Sequence, residues 1–201
     1  MNHEAVDSTL SAMKENARLN HVPIMEDEGM AQLLQLLEQQ KPVRILEIGS
    51  AIGYSAMRMA IGLPEAVIDT VERDEKRYED AVQFIRQAGM EDRIRIFHAD
   101  ALEFDTESLS GSYDAIFIDA AKGQYERFFE KYEKLIDSGG TIYCDNMHLN
   151  GSIEIPIEQV PKRNRTMVRN LRKFRANMLE HPAYHTVLHD TGDGLMVCTK
   201  K

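Results

Sequence analysis

The chain has no tryptophan and only two cysteines, Cys144 and Cys198, among its 201 residues. Each cysteine sits in an apolar, strand-like run, so two reduced, buried thiols are expected and a disulfide framework is not. That points to a reducing compartment, the cytoplasm. No stretch reaches the ~20 apolar residues that a membrane span requires. The first ten residues carry Glu4 and Asp7 and lack an apolar h-region, so a secretory signal is not expected there. Internal repeats, low-complexity tracts and Pro/Gly/Ser linkers are also missing, and one domain is expected at this length.

What the chain does have is enough apolar side chain for a sizeable core (43% hydrophobic) and an excess of acid, with net charge −9. That balance argues against general nucleic-acid affinity over the whole surface. The charge is uneven. Between Gln159 and Leu179 stand Lys162, Arg163, Arg165, Arg169, Arg172, Lys173 and Arg175 without a single acid, so this segment carries +7 and the remainder −16.

From residue 43 onward, short β-branched runs alternate with longer amphipathic stretches. Strands are expected at residues 43–48, 66–72, 93–98, 113–119 and 141–145. Helices are expected at 54–61, at 74–88 with Gly89 as its stop, and at 124–136, the last ending at Ser138-Gly139-Gly140. Such units imply a parallel sheet with helices on both faces. Residues 184–189 and 195–199 are strand-like and separated only by a turn-rich loop, which predicts an antiparallel hairpin at the sheet edge. Residues 4–20 and 26–39, with Pro23 between them, read as helices. Ala5, Leu10, Met13 and Ala17 share one side of the first, a face for the sheet or for a second subunit. The expected fold is α/β: a Rossmann-like, seven-stranded, mostly parallel sheet ending in an antiparallel hairpin, the layout of class I methyltransferases. Along the chain this divides into a helical cap (1–40), a cofactor and metal core (43–145), and a basic helix with the hairpin (160–201).

The first strand runs into Glu47-Ile48-Gly49-Ser50-Ala51-Ile52-Gly53-Tyr54-Ser55. A glycine turn between strand and helix lets a ligand approach the backbone closely. Dinucleotide sites use G-x-G-x-x-G there to seat a pyrophosphate. Here the spacing is wider, Gly49 to Gly53, with Glu47 upstream, which suits a cationic ligand without pyrophosphate. S-adenosylmethionine, with its amino group and sulfonium, is such a ligand. Glu72 ends the second strand, placed to accept from ribose hydroxyls, and Asp100-Ala101 follows the third, where an adenine edge would lie. Both acids also suit the bland role of capping the helices that follow.

The fourth strand ends at Asp119-Ala120-Ala121-Lys122 and the fifth at Asp145-Asn146. Neighbouring strands in a doubly wound sheet would bring Asp119, Asp145 and Asn146 together as hard oxygen donors for Mg²⁺ or another divalent cation. The alternative for Asp145-Asn146 is a simple turn start. Lys122 lies about one turn beyond Asp119. A lysine beside a divalent cation in a partly desolvated site gives up its proton more readily, and so fits a general base. Alone, it would be a solvated surface lysine.

With these residues in hand, the sequence from about Pro23 onward resembles the catechol O-methyltransferase-like family, also called O-methyltransferase family 3. The likeness rests on Glu47-x-Gly49-x-x-x-Gly53-Tyr54-Ser55, Glu72, Asp119-x-x-Lys122, Asp145-Asn146 and Gly192-Asp193-Gly194-Leu195. It implies S-adenosylmethionine contacts at Ile24, Glu47, Gly49, Ser55, Glu72, Asp100, Ala101 and Asp119. It further implies a metal on Asp119, Asp145 and Asn146, catalysis by Lys122 and Asp119, and a homodimer. Animal catechol enzymes carry a Trp just before the lysine; this chain has Ala121 there, so a snug catechol slot is not implied.

Length, the Asp119-Ala120-Ala121-Lys122 signature and the basic segment are closer to the bacterial tRNA 5-hydroxyuridine methyltransferases. That likeness implies methyl transfer to a metal-chelated hydroxyl of wobble-position 5-hydroxyuridine, giving 5-methoxyuridine. Arg165, Arg169 and Arg172, at i, i+4 and i+7, share a helical face; with Lys162, Arg163 and Lys173 they are the expected contacts to a tRNA anticodon loop. A solvated helix or an intersubunit face is the plainer reading of the same cations. Three further readings stay open: O-methylation of a small catechol, flavonoid or other vicinal diol; a nicotinamide-dependent oxidoreductase, from the acid 23 residues after Gly49; and a catalytically silent RNA-binding module.

Overall fold

The computed structural model describes residues 3–109 and 111–201, with side chains from residue 6 onward. Backbone contacts gather into two compact units, Met1–Thr106 and Glu107–Lys201. Seven strands make one mixed sheet, to which the first unit contributes the order β3-β2-β1 and the second β4-β5-β7-β6.

In the first unit, α1 (His3–Asn20) and α2 (Asp27–Gln40) precede β1 (Arg44–Ile48), α3 (Tyr54–Gly62), β2 (Val67–Glu72), α4 (Glu75–Gln87) and β3 (Ile94–His98). The three strands are parallel, with Ile48 opposite Val71 and Glu72 opposite His98. Ile45, Leu46, Glu47 and Ile48 are all buried, as expected of a parallel strand covered on both faces. Helix α1 packs against α3 and α4. Its buried stripe is Val6, Thr9, Met13 and Ala17, with Leu10 half-buried, so the face is rotated slightly from the one expected; the side chain of Ala5 lies outside the described residues. Asp74 caps α4 by accepting the Arg77 N–H at 2.9 Å, a contact worth about 1 kcal/mol. Gly89 ends that helix with φ +64°, as its position in the sequence predicts.

The second unit comprises β4 (Tyr113–Ile118), a 3₁₀ turn (Lys122–Gln124), α5 (Tyr125–Tyr132), β5 (Ile136–Cys144), α6 (Arg165–Leu179), β6 (Tyr184–His189) and β7 (Leu195–Lys200). Strands β4 and β5 are parallel, whereas β7 runs antiparallel to both β5 and β6, the expected hairpin.

One expectation is corrected here. The helix expected over 124–136 is α-helical only to Tyr132, and β5 begins at Ile136 instead of 141. Ile136 is buried opposite Tyr113, yet the next pair is Ala115 with Thr141. Ser138-Gly139-Gly140 is therefore an excursion inside a strand, with Gly139 at φ +87°, and not a helix stop. The Lys200 ammonium donates to two carbonyls just ahead of this excursion, Glu133 at 3.1 Å and Ile136 at 2.7 Å. Among the described residues, no helix is long and apolar enough to cross a membrane.

Candidate active site

In the first unit the chain leaves β1 at Gly49 (φ +93°) and enters α3 at Gly53 (φ +81°). The loop hangs on the end of β2, because the Gly49 and Ser50 amides both donate to the Val71 carbonyl. Glycine is favoured at 53 on two counts: its φ lies in the left-handed region, and a Cβ there would stand a tight 3.3 Å from the Ala81 Cβ.

Glu72 is built into the same loop. Its carboxylate accepts the Ala51 N–H at 2.8 Å through one oxygen and the Asp74 N–H at 2.8 Å through the other. The cap of the following helix is Asp74 and not Glu72, which ties the glycine loop to the turn before α4; each Glu72 oxygen keeps a second lone pair for a ligand. Glu47 is fully buried, accepting from the Ser55 hydroxyl and, at 2.6 Å, from the Thr70 hydroxyl. Two residues expected to touch a cofactor therefore touch each other. Thr70, which sequence reading missed, supports them from the next strand; nothing in its local sequence marks it. The Ser50 hydroxyl is buried without a hydrogen-bond partner. Asp100 is exposed, accepting the Leu102 N–H at 2.8 Å. Ile24 and Ala101 are half-buried, Ile24 in the segment between α1 and α2.

In the second unit, Asp119 follows β4 and Asp145-Asn146 follows β5. Lys122 opens the 3₁₀ turn, and its ammonium donates to Asp119, three residues earlier, at 2.7 Å. Burial, and then the charge of Asp119, push the Asp145 carboxyl up to about 7. A group held this way gains from any cation placed beside it. Asn146 takes a left-handed φ of +59°. Its Nδ2 donates to Asp193 at 3.3 Å, while its Oδ1 is buried with no partner. An orphaned buried carbonyl oxygen next in sequence to a desolvated carboxylate is the arrangement that a bound cation would satisfy. Among the described residues no cluster of three or more His, Cys, Asp and Glu side chains could hold a metal ion. The two carboxylates and one amide oxygen expected from the sequence would make a hard donor set suited to Mg²⁺.

Two supports of this site went unrecognised at the sequence level. The buried Tyr125 hydroxyl reaches the carbonyls of Ile118 (3.1 Å) and Asp145 (2.9 Å), strapping the two strand ends that carry the carboxylates. Asp193 also accepts the Asn150 N–H at 2.5 Å.

The basic segment forms a 3₁₀ turn (Lys162–Asn164) and α6. Its cations do not all face solvent. Arg165 donates to the Val160 and Glu158 carbonyls, and Arg172 to those of Ser152, Ile153 and Ile155. Arg175 donates to Met147 O and Glu154, and Lys173 pairs with Glu126 at 3.0 Å. The face expected from the i, i+4, i+7 spacing is therefore split: Arg165 and Arg172 bind the backbone of the 152–160 segment, while Lys162, Arg163 and Arg169 are exposed. Helix α6 also meets the turn of Lys122, where Asn170 Nδ2 donates to the Gly123 carbonyl at 3.1 Å.

The O-methyltransferase family model matches residues 2–201. The chain belongs to the O-methyltransferase family. It is 31% identical to the caffeoyl-CoA O-methyltransferase of Stellaria longipes over 82% of this chain and 71% of that one. Among solved structures, this O-methyltransferase superposes with TM-score 0.89 and 34% identity on a Staphylococcus aureus protein assigned as a candidate caffeoyl-CoA O-methyltransferase, covering 96% and 92% of the two chains. An O-methyltransferase of Bacillus cereus, solved in complex with SAH, gives TM-score 0.81 and 27% identity over 96% and 91%. The class I methyltransferase fold expected from the strand pattern is thereby met, as is the enzyme class, S-adenosylmethionine-dependent O-methyltransferase.

Proposed function

We propose that this O-methyltransferase methylates a hydroxyl held at a divalent-metal site, and that the hydroxyl belongs to 5-hydroxyuridine at the tRNA wobble position. The observation that carries the metal reading is the buried, unpartnered Oδ1 of Asn146 next to the desolvated Asp145. Asp119, Asp145 and Asn146 would hold the cation, and Mg²⁺ bound there supplies Lewis-acid polarisation of the acceptor hydroxyl. Lys122, anchored on Asp119, takes the hydroxyl proton. On the cofactor side, Glu72 fixes the glycine loop and offers its remaining lone pairs to ribose hydroxyls, with Ile24, Gly49, Ser55, Asp100 and Ala101 completing the cradle and Glu47 buttressing Ser55. S-adenosylmethionine supplies an electrophilic methyl group on its sulfonium.

The tRNA reading rests on where the cations are. In a chain of net charge −9, Lys162, Arg163 and Arg169 are exposed on α6 and on the turn leading into it, and α6 is hydrogen-bonded to the Lys122 turn through Asn170. A polyanion bound along that helix is held close to the base. Arg165 and Arg172 serve the reading indirectly by anchoring the 152–160 segment, and Lys173 through its Glu126 pair. The relatives favour a second reading, a small catechol-type acceptor such as caffeoyl-CoA.

The test is label transfer from radiolabelled S-adenosylmethionine with Mg²⁺, using tRNA from a strain lacking its own wobble-uridine methylation, with EDTA and free-catechol controls. EDTA-sensitive label mapped to 5-methoxyuridine supports the proposal. Label in the catechol alone keeps the metal chemistry and transfers the substrate to the second reading. Label that EDTA leaves untouched refutes the metal role.

A further inference from the structure

Asp193 lies in the β6–β7 loop, 47 residues beyond Asn146, yet hydrogen bonds join its neighbourhood to the segment that follows β5. The His148 N–H donates to the Asp193 carbonyl at 2.8 Å and the Met147 N–H to the Gly194 carbonyl at 2.9 Å. The Asp193 carboxylate accepts the Asn150 N–H through one oxygen and the Asn146 Nδ2 through the other. A carboxylate only accepts, so the amide end facing Asp193 must be the nitrogen. The opposite end, Oδ1, is the one left buried and unpartnered. Gly194 keeps this loop close to the segment: a Cβ there would lie 2.5 Å from the His148 ring.

We propose that Asp193 is a positioning residue that sets the rotamer of the Asn146 amide, so that an oxygen and not an NH₂ is presented as the third cation donor. The inference rests on the metal reading above. In its flipped orientation the amide would turn two N–H donors toward the cation. A carboxylate placed behind it removes that state. The Gly192-Asp193-Gly194 turn thereby acquires a role that its distance from the metal residues in the sequence conceals.

Calorimetric titration of Mg²⁺ and Mn²⁺ alone into the full chain tests it. Asp193→Asn allows the flip and is expected to weaken cation binding about tenfold or more, in the range seen when outer supports of metal ligands are removed. Adding Asn146→Asp to that variant exchanges donor and acceptor across the same hydrogen bond and leaves a carboxylate oxygen for the cation. The double variant is expected to recover affinity to within about threefold of wild type. Wild-type affinity in the single variant overturns the proposal. So does a double variant that melts like wild type but stays weak, since that marks a merely structural role. If the single variant fails to fold, the wild-type protein decides: Mg²⁺ should shift the Asn146 side-chain amide resonance, and calorimetric binding with that resonance unmoved overturns the proposal. Wild-type protein that binds neither cation refutes the metal reading itself, and the inference with it.

Discussion

The hydroxyl of Tyr125 lies 2.9 Å from the backbone carbonyl of Asp145, and the same hydroxyl reaches the Ile118 carbonyl at 3.1 Å. One side chain thus joins the ends of β4 and β5 directly behind Asp119 and Asp145. Tyr125→Phe leaves two buried carbonyls without that donor, which costs about 1–2 kcal/mol. Thermal melting should fall by roughly 2–8 °C for a chain of this size. Methyl transfer should fall with it, at unchanged affinity for S-adenosylhomocysteine.

Glu72 holds the cofactor loop through both carboxylate oxygens. Glu72→Gln replaces one acceptor with an NH₂ group that must face an amide N–H. Calorimetry should show S-adenosylhomocysteine affinity weakened about tenfold, the equivalent of about 1.4 kcal/mol, and Glu72→Ala should weaken it further.

Gly53→Ala places a Cβ at a left-handed φ of +81° and against the Ala81 methyl. The backbone conformation alone costs about 1–2 kcal/mol. Denaturant titration should show a lower midpoint with an unchanged slope, because the unfolded surface is the same.

Both cysteines are free and buried, as their sequence setting predicts. Burial pushes the Cys144 thiol well above its usual range and the Cys198 thiol up to about 12. The thiolate is the reactive species, so a thiol reagent should label neither residue in the native protein even as pH rises from 7 to 9. Both should react stoichiometrically in denaturant. Native labelling that climbs with pH across that window would contradict the burial argument.

Arg172 and Arg169 lie three residues apart on α6 and should behave oppositely. Arg172→Ala removes the donor to three backbone carbonyls and should destabilise the fold by about 1–3 kcal/mol, read as a melting shift. Arg169→Glu should leave melting unchanged while lowering tRNA methylation, more so when combined with Arg163→Glu. Equal tRNA activity in that double variant would remove the basic surface from the proposal.

Most of the fold was legible because its signals are local. The β1 run of Ile45, Leu46 and Ile48 is apolar on both faces, and Asp74 and Gly89 mark the helix boundaries by their own chemistry. The site acids were legible for the same reason, since Glu72, Asp119 and Asp145 each stand at or just past the end of an apolar run. The β5 start was not legible, because Ser138-Gly139-Gly140 ends a helix and interrupts a strand equally well. Only the burial of Ile136 opposite Tyr113 distinguishes the two.

The sequence by itself determined the strand–helix alternation, the closing hairpin, the reduced thiols and the identity of the acids and lysine that carry the proposed chemistry. Tertiary structure alone decided how those groups are held. Thr70 meets Glu47 from 23 residues away, Arg172 meets Ile153 from 19, and Asp193 meets Asn146 from 47. Hydrogen bonds of this kind join a side chain to whatever donor or carbonyl the fold brings alongside, and a backbone carbonyl is the same group at every position in a sequence. Periodicity records which face a residue buries, not which partner it finds there. Tyr125, Arg172 and Asp193 therefore read as an ordinary aromatic, a charge and a turn until the chain is folded.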